Sequence, residues 1–231
     1  MIQTVFDTAA LPAADRFDHW SERIGRTHAP MELSSEYANG FRGRQRLVRL
    51  GSVYVWPAVF QPMVFRRTPR LVRSSDPEVY HLSLLLRGAA WASWRKTNIA
   101  YAPRDFHIND SALVNEIWAG GSALVSSVGV EIPKPLLPFP RHRAERLVGR
   151  KVQAHDGPAA LLADFLTRLV ADVDSYRPAD GPRLGTVLVD LAAALFAHVL
   201  DADDELEPET RRGALLHRVR AFVQRHLHDP E

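Results

Sequence analysis

Three sets of side chains in this sequence are suited to chemistry: its histidines, a run of arginines and a group of tryptophans. One known arrangement that holds a metal inside a small barrel is a His-x-His pair and a Glu on neighbouring strands, with a further His after a Pro-x-Gly turn, so that several donors converge on one point. Here His81 stands alone in Val79-Tyr80-His81-Leu82-Ser83, and Pro103-Arg104-Asp105-Phe106-His107 carries Asp where the turn glycine would stand. His226-Leu227-His228 is a His-x-His, but it falls at the end of an expected helix, where residues two apart diverge. No metal and no cofactor are expected. His81 reads either as a hydrogen-bonded core histidine or as a polar group in a pocket.

The stretch from Tyr37 to Ser75 holds eight Arg and no acid. Arg42, Arg44 and Arg46 alternate with Phe41, Gly43, Gln45 and Leu47, as a strand with one wet face requires. Only Arg66-Arg67 beside Pro69-Arg70 is dense enough to suggest recognition of phosphate or carboxylate. Trp56, Tyr80, Trp91, Trp94 and Trp118 all fall within expected strands. They read as core packing, or else Trp56, Tyr80, Trp94 and Trp118 join His81 and Arg67 around a pocket for a small organic effector.

Other chemistries find no support. The chain has no Gly-x-Ser-x-Gly elbow, no phosphate-cradling glycine loop, no dinucleotide fingerprint and no His-Glu-x-x-His helix, so no catalytic residue is assigned. With no cysteine, disulfides, thiolate metal sites and a cysteine nucleophile are excluded. A net charge of +2 over 231 residues is too small to imply nucleic-acid binding by itself. The start, Met1 to Asp7, lacks the basic and apolar pattern of a targeting segment. The most apolar window, Val187 to Leu200, is 14 residues long and interrupted by Asp190 and His198, short of the ~20 that span a bilayer. A cytoplasmic protein with no membrane partner is expected.

The elements that must position these residues follow from hydrophobic period. Phe17, Trp20 and Ile24 make one stripe of a first helix starting near Pro12. From about residue 31 to 132, short runs rich in Val, Leu, Tyr and Trp alternate with Gly, Pro or Asn-Asp punctuation. They predict strands at 41–50, 53–56, 64–68, 79–87, 91–95, 106–108, 113–118 and 123–130. Without crossover helices between them these strands cannot form a parallel sheet. The fold class is therefore α+β: an antiparallel barrel of jelly-roll type, an N-terminal helix and a C-terminal antiparallel helical pair. The pair lies within about 141–200, where Leu162, Phe165, Leu166, Leu169 and Val173 form one apolar face. Leu184, Val187, Leu188, Leu191 and Leu195 form the other, wide enough to leave room for a subunit contact.

Asp201 to Glu209 then carries six acids and no base, and Thr210 to His226 carries five Arg and no acid. This flip reads as an acidic linker, 201–209, followed by a new amphipathic helix within 210–231. That helix either folds back on the preceding domain or begins another one.

The order of parts resembles the sensor domain of AraC/XylS-type transcription regulators, and most nearly its AraC-binding-like branch. The motifs are Phe65-Arg66-Arg67-Thr68-Pro69-Arg70, Tyr80 to Gly88, Ala102-Pro103-Arg104-Asp105, Asn109-Asp110-Ser111 and Glu131-Ile132-Pro133-Lys134, over about residues 1–200. Arg104 departs from the pattern, which usually has Gly before the Asp. The resemblance implies a cupin-like barrel that binds a small-molecule effector. It also implies a homodimer formed through the helices, with Leu184, Val187, Leu188, Leu191 and Leu195 as its contact residues. DNA is then reached only through a further domain of two helix-turn-helix units, whose first helix 211–230 resembles; a recognition helix does not follow within the chain. A cupin-type enzyme and a pure oligomerisation module are the alternative readings.

Overall fold

The computed structural model describes residues 2–94, 97–121 and 124–204. In chain order the elements are β1 (Ile2–Asp7), α1 (Arg16–Thr27), β2 (Glu32–Ser34), β3 (Gly43–Leu50), β4 (Val53–Phe60), β5 (Met63–Arg67), α2 (Pro69–Ser74), β6 (Val79–Arg87), β7 (Ala89–Trp94), β8 (Thr97–Tyr101), β9 (Asp105–Asp110), β10 (Asn115–Gly120), β11 (Val125–Pro133), α3 (Arg141–Ala144), β12 (Lys151–Gln153), α4 (Gly157–Ala171) and α5 (Asp180–Asp204). The strands form two antiparallel sheets, one ordered β1-β3-β4-β11-β6-β9-β12 and the other β2-β5-β10-β7-β8. The molecule is a cupin-like sandwich with flanking helices, so the expected barrel is built from two sheets and not from one closed ladder.

Because successive side chains on a strand point to opposite faces, the seven-stranded sheet serves two cores at once. Tyr80, Leu82 and Leu84 of β6, Phe106 and Ile108 of β9, and Val128, Val130 and Ile132 of β11 pack with α4 and α5. Leu162, Leu166 and Leu169 come from α4, and Leu188, Leu195, Phe196 and Leu200 from α5. The other face meets the five-stranded sheet. There Phe60, Met63, Leu85, Ala92, Ala119 and Val125 pack with Trp20 and Ile24, the buried stripe of α1. All six residues of β9 are buried, as expected for a strand covered on both faces.

α5 lies hard against the sheet. A methyl group on Gly185 would come within 2.2 Å of the Leu50 carbonyl oxygen, so only glycine permits this approach. The 14-residue apolar window of the sequence lies inside this 25-residue helix. Residues 180–202 are long and apolar enough to cross a membrane by length and composition alone, but one side of the helix is the domain's own core. α5 also continues to Asp204, four residues into the stretch read as a linker. The remainder of that stretch and the basic helix expected within 210–231 lie outside the described residues.

All eight expected strands are present, β6 at its expected bounds and the others with shifted ends. Four more, β1, β2, β8 and β12, carry no clear signal, two of them being three residues long, too short to display a period. At the departure from the family motif, Arg104 takes the left-handed backbone that glycine usually supplies, with φ of 69°. The turn is held from both sides. The Asp105 carboxylate accepts the Ala102 N–H at 2.7 Å, and the Arg104 guanidinium donates to the Ala154 carbonyl at 3.0 Å and to Asp164 at 3.0 Å.

Candidate functional site

The interior of a sandwich is normally apolar on both inner faces. Here the inner face of the seven-stranded sheet is not. Strand register sets Glu131 of β11 beside His81 of β6, and His81 beside Asn109 of β9. One step along the sheet, Trp56 of β4, Gly129, Ser83 and His107 form the next row. These residues occupy alternate positions to the Leu, Val and Ile that seat the helices.

Between the sheets lies a cavity of about 110 Å³ whose wall includes His28, Trp56, His81, Ser83, Tyr101, Asp105, His107, Asn109, Ser127 and Gly129, closed by apolar side chains such as Phe60, Phe65 and Ile117. A second space of about 20 Å³ adjoins it, sharing His28, His81 and Asn109 and adding Arg67, Ser111 and Glu131. The rings follow one another: His28 meets Trp56 at 3.6 Å between centroids with planes tilted by 41°, and Trp56 stacks on His81 at 5.6 Å with planes 25° apart. Gly129 makes this stack possible, since a Cβ there would lie 3.0 Å from His81 Cε1 and 3.2 Å from Trp56 Cε3.

Burial dominates the electrostatics. It lowers His81 to about 4. It lowers His107 to about 3, with the charge of His81 as a smaller cause. His28 is pushed well below its ordinary value by burial first, then by His81 and Arg23. All three imidazoles are neutral near pH 7. Burial raises Glu131 to about 8, so its carboxyl holds a proton there. Asp105 is matched by Lys151 Nζ at 2.9 Å. Two ring nitrogens in the wall, Trp56 Nε1 and His81 Nδ1, are buried and lack a hydrogen-bond partner. Such groups are uncommon in a finished core and mark a place where a polar atom can be received. Among the described residues no three His, Cys, Asp or Glu side chains are grouped to hold a metal.

Of the residues singled out in the sequence, the structure brings Trp56 and His81 together in the main cavity. Tyr80 faces the opposite way, its ring meeting Phe196 edge-on at 5.9 Å. Trp118 stands on the outer face of β10, in register with Trp91, which is 44% exposed. The side chain of Trp94 lies outside the described residues. Arg67 is fully buried but committed elsewhere: its guanidinium donates to the carbonyls of Ser111 at 2.7 Å, Pro30 at 2.8 Å and Ser75. It is a strut that ties β5 to the end of β9, not an open anion receptor. Its neighbour Arg66 is paired with Glu116 at 2.6 Å. On α5, Leu188 and Leu195 are fully buried against the sheet, so they are not available to a second subunit. Leu184 and Leu191 are half-buried against the same core, and Val187 is 44% exposed.

His28, Tyr101, His107, Asn109 and Glu131 were not singled out as site residues. For β6 and β9 the signal was present in their alternation: His81-x-Ser83 and Asp105-x-His107-x-Asn109 interleave with apolar residues. His28, at the end of α1, carries no such pattern.

A sandwich of this layout, with helices against one sheet and a polar hollow between the two, is a cupin-like fold. The chain belongs to the AraC-binding-like domain family, which matches residues 20–201, and it is by family and fold an N-terminal sensor domain of the AraC type. Among solved structures it is similar to the AraC-like transcriptional activator CuxR, with a TM-score of 0.73 and 15% identity over 90% of this chain and 82% of that one. A much weaker likeness, TM-score 0.30 and 10% identity over 61% of this chain and 100% of the other, is to a cupin domain of an XRE family transcriptional regulator from Enterobacter cloacae. No curated protein matches the chain.

Proposed function

We propose that this chain is the effector-binding and dimerisation part of a cytoplasmic, DNA-binding transcription regulator. A small molecule enters the cavity between the sheets, and DNA is contacted through a separate helix-turn-helix domain. The reading is carried by one observation: the inner face of the seven-stranded sheet spends its central positions on polar and aromatic side chains around a cavity, at the expense of a dry core. The strands that line the cavity also seat the helices. An effector that moves β6 by a fraction of an ångström moves Tyr80 against Phe196, and so alters how α5 is presented. For such a shift to regulate anything, the effector must bind one arrangement more tightly than the other.

Thermal-shift screening of the chain against metabolite libraries and cell extracts tests this. A ligand at 100 times its Kd adds about 2.7 kcal/mol, enough to raise the melting temperature by several degrees in a domain of this size. Gly129→Leu, which fills the cavity, should abolish the shift. If no compound stabilises the protein, or if Gly129→Leu leaves the shift intact, the cavity is not the effector site.

A further inference from the structure

We propose that the cavity takes small weak carboxylic acids, and that His81 receives the ligand's oxyanion together with one proton drawn from solution. This rests on the cavity being the effector site and specifies what it selects. Among the described residues no lysine or arginine belongs to the wall of the larger cavity, so the side chains there that can become positive are His28, His81 and His107. A carboxylate stripped of water in such a space needs a partner charge, and an unpaired one costs several kcal/mol.

His81 is the one placed to supply it. Its ring lies 5.5 Å from that of His28, and its charge bears on both His28 and His107. The three therefore cannot all be charged together, and a first proton on the middle ring excludes the others. His81 Nδ1 has no partner, and neither has the Nε1 of Trp56, whose ring stacks on it. Once His81 is protonated, the two together offer donors to a carboxylate.

The surrounding charges leave that position open. Arg23, which bears on His28, donates through Nε to Gln45 at 3.0 Å; its Nη2 is buried without a partner, but Arg23 is not part of the wall of the larger cavity, and Arg67 is spent on three carbonyls. Asp105 is occupied by Lys151 and by the Ala102 N–H. Tyr101 donates to the Arg150 carbonyl. Glu131, beside His81 in the register, borders only the smaller space, and burial keeps it protonated. No standing carboxylate therefore neutralises a charged His81 in the empty cavity. The same inventory disfavours a cationic ligand, which would find no free carboxylate on the main wall. At about 110 Å³ the space is somewhat smaller than the ~150 Å³ cavity that accepts benzene, which bounds the acid to about that size.

The test uses the chain with acetate, propionate and butyrate, each beside its uncharged amide. Titration calorimetry in buffers of different ionisation heat should give close to one proton taken up per carboxylate near pH 7, and none per amide. The carboxylate Kd should weaken close to tenfold per pH unit above about pH 6, where both the free acid and the empty His81 are deprotonated. Histidine ring-carbon NMR should show one imidazolium, at His81, only with the acids bound. His81→Gln should remove the pH slope of carboxylate binding; if that variant does not fold, the wild-type calorimetry and NMR still decide. Carboxylates binding without proton uptake, amides binding more tightly than acids, or the proton settling on His107 or His28 would overturn the proposal while leaving the cavity reading standing. Failure of every acid and amide, together with failure of the broader screen, would overturn both.

Discussion

Replacing Gly129 with alanine adds a single methyl group where the structure leaves it no room. The new Cβ would sit 3.0 Å from His81 Cε1 and 3.2 Å from Trp56 Cε3. Neither ring can swing away freely, because His28 backs Trp56 at 3.6 Å between centroids. Overpacking of this kind costs about 1–3 kcal/mol, while replacing glycine within a strand recovers about 0.5–1 kcal/mol of conformational entropy. The net loss, about 1 kcal/mol at the middle of these ranges and about 2.5 kcal/mol at most, lowers the melting temperature by roughly 2–4 °C, and by about 10 °C at most, in a domain of this size. The methyl group also stands in the wall of the 110 Å³ cavity and takes space from it. Any ligand-induced thermal shift seen in the wild type should therefore fall sharply. Gly120→Ala is the control, since a Cβ there meets nothing closer than 3.9 Å; it should keep the wild-type melting temperature or exceed it, with ligand response unchanged. If Gly129→Ala behaves like Gly120→Ala in both readouts, the ring stack is not confined and the cavity is not shaped as described.

Three other outcomes are expected. Arg67→Met removes a guanidinium shared by three carbonyls and leaves them unpaired in a buried place, so urea unfolding should show a loss of about 3–5 kcal/mol with the ligand response of the surviving folded protein retained. Stability should peak in mildly acidic solution. His81 and His107, depressed to about 4 and about 3, contribute stability that is present above their unfolded value near 6.5 and lost as pH falls through the folded values. Glu131, raised to about 8, contributes stability that is present below its unfolded value near 4.5 and lost as pH rises through the folded one. Denaturation across pH should show both limbs, with His107→Gln flattening the acid one and Glu131→Gln the alkaline one; a flat wild-type profile would refute the burial of these groups. In the proposed homodimer, Val187→Asp, at a position 44% exposed in the single chain, should shift sedimentation from dimer to monomer; an unchanged mass would count against a subunit contact on this flank of α5, and a wild type that sediments as a monomer would count against the dimer itself.

The architecture was legible where a long run kept one period. β6 spans Val79–Arg87, the bounds its alternation predicts, because apolar residues at every second position demand one dry face. The site was less so. Period 2 says that His81 and Ser83 share a face, but not that the face turns inward, and a polar face is by default assigned to water. Trp118 misled for the same reason in reverse: a tryptophan in a strand suggests burial, yet it stands on the outer side of β10. Arg67 was picked out as an anion receptor on charge alone, and only the three carbonyls around it reveal a strut. Leu188 and Leu195 belonged to a stripe that was read whole as a subunit contact, whereas the sheet already takes the inner part of it. His28 reached the site through the path of the chain after α1, which no local spacing encodes.

The double use of the seven-stranded sheet bears on how a sensor of this type can be both stable and responsive. In an ordinary sandwich the inner core is the main source of cohesion, and opening a cavity there is costly. Here the helix-facing side of the same strands supplies a second apolar core, running from Val48 through Ile132 to Leu200, so the inner face is released from that duty. The unpaired Trp56 Nε1 and His81 Nδ1 are tolerable because Leu82, Phe106 and Val130 hold their strands in place from behind. Close-packed interiors do not deform continuously, so on the function proposed above a ligand that satisfies those nitrogens would change the balance between discrete packings of the sheet on α4 and α5 instead of bending it gradually. On that proposal a cavity in this position acts through strands that are held from behind by a second apolar core, which a cavity in a single-core sandwich does not have.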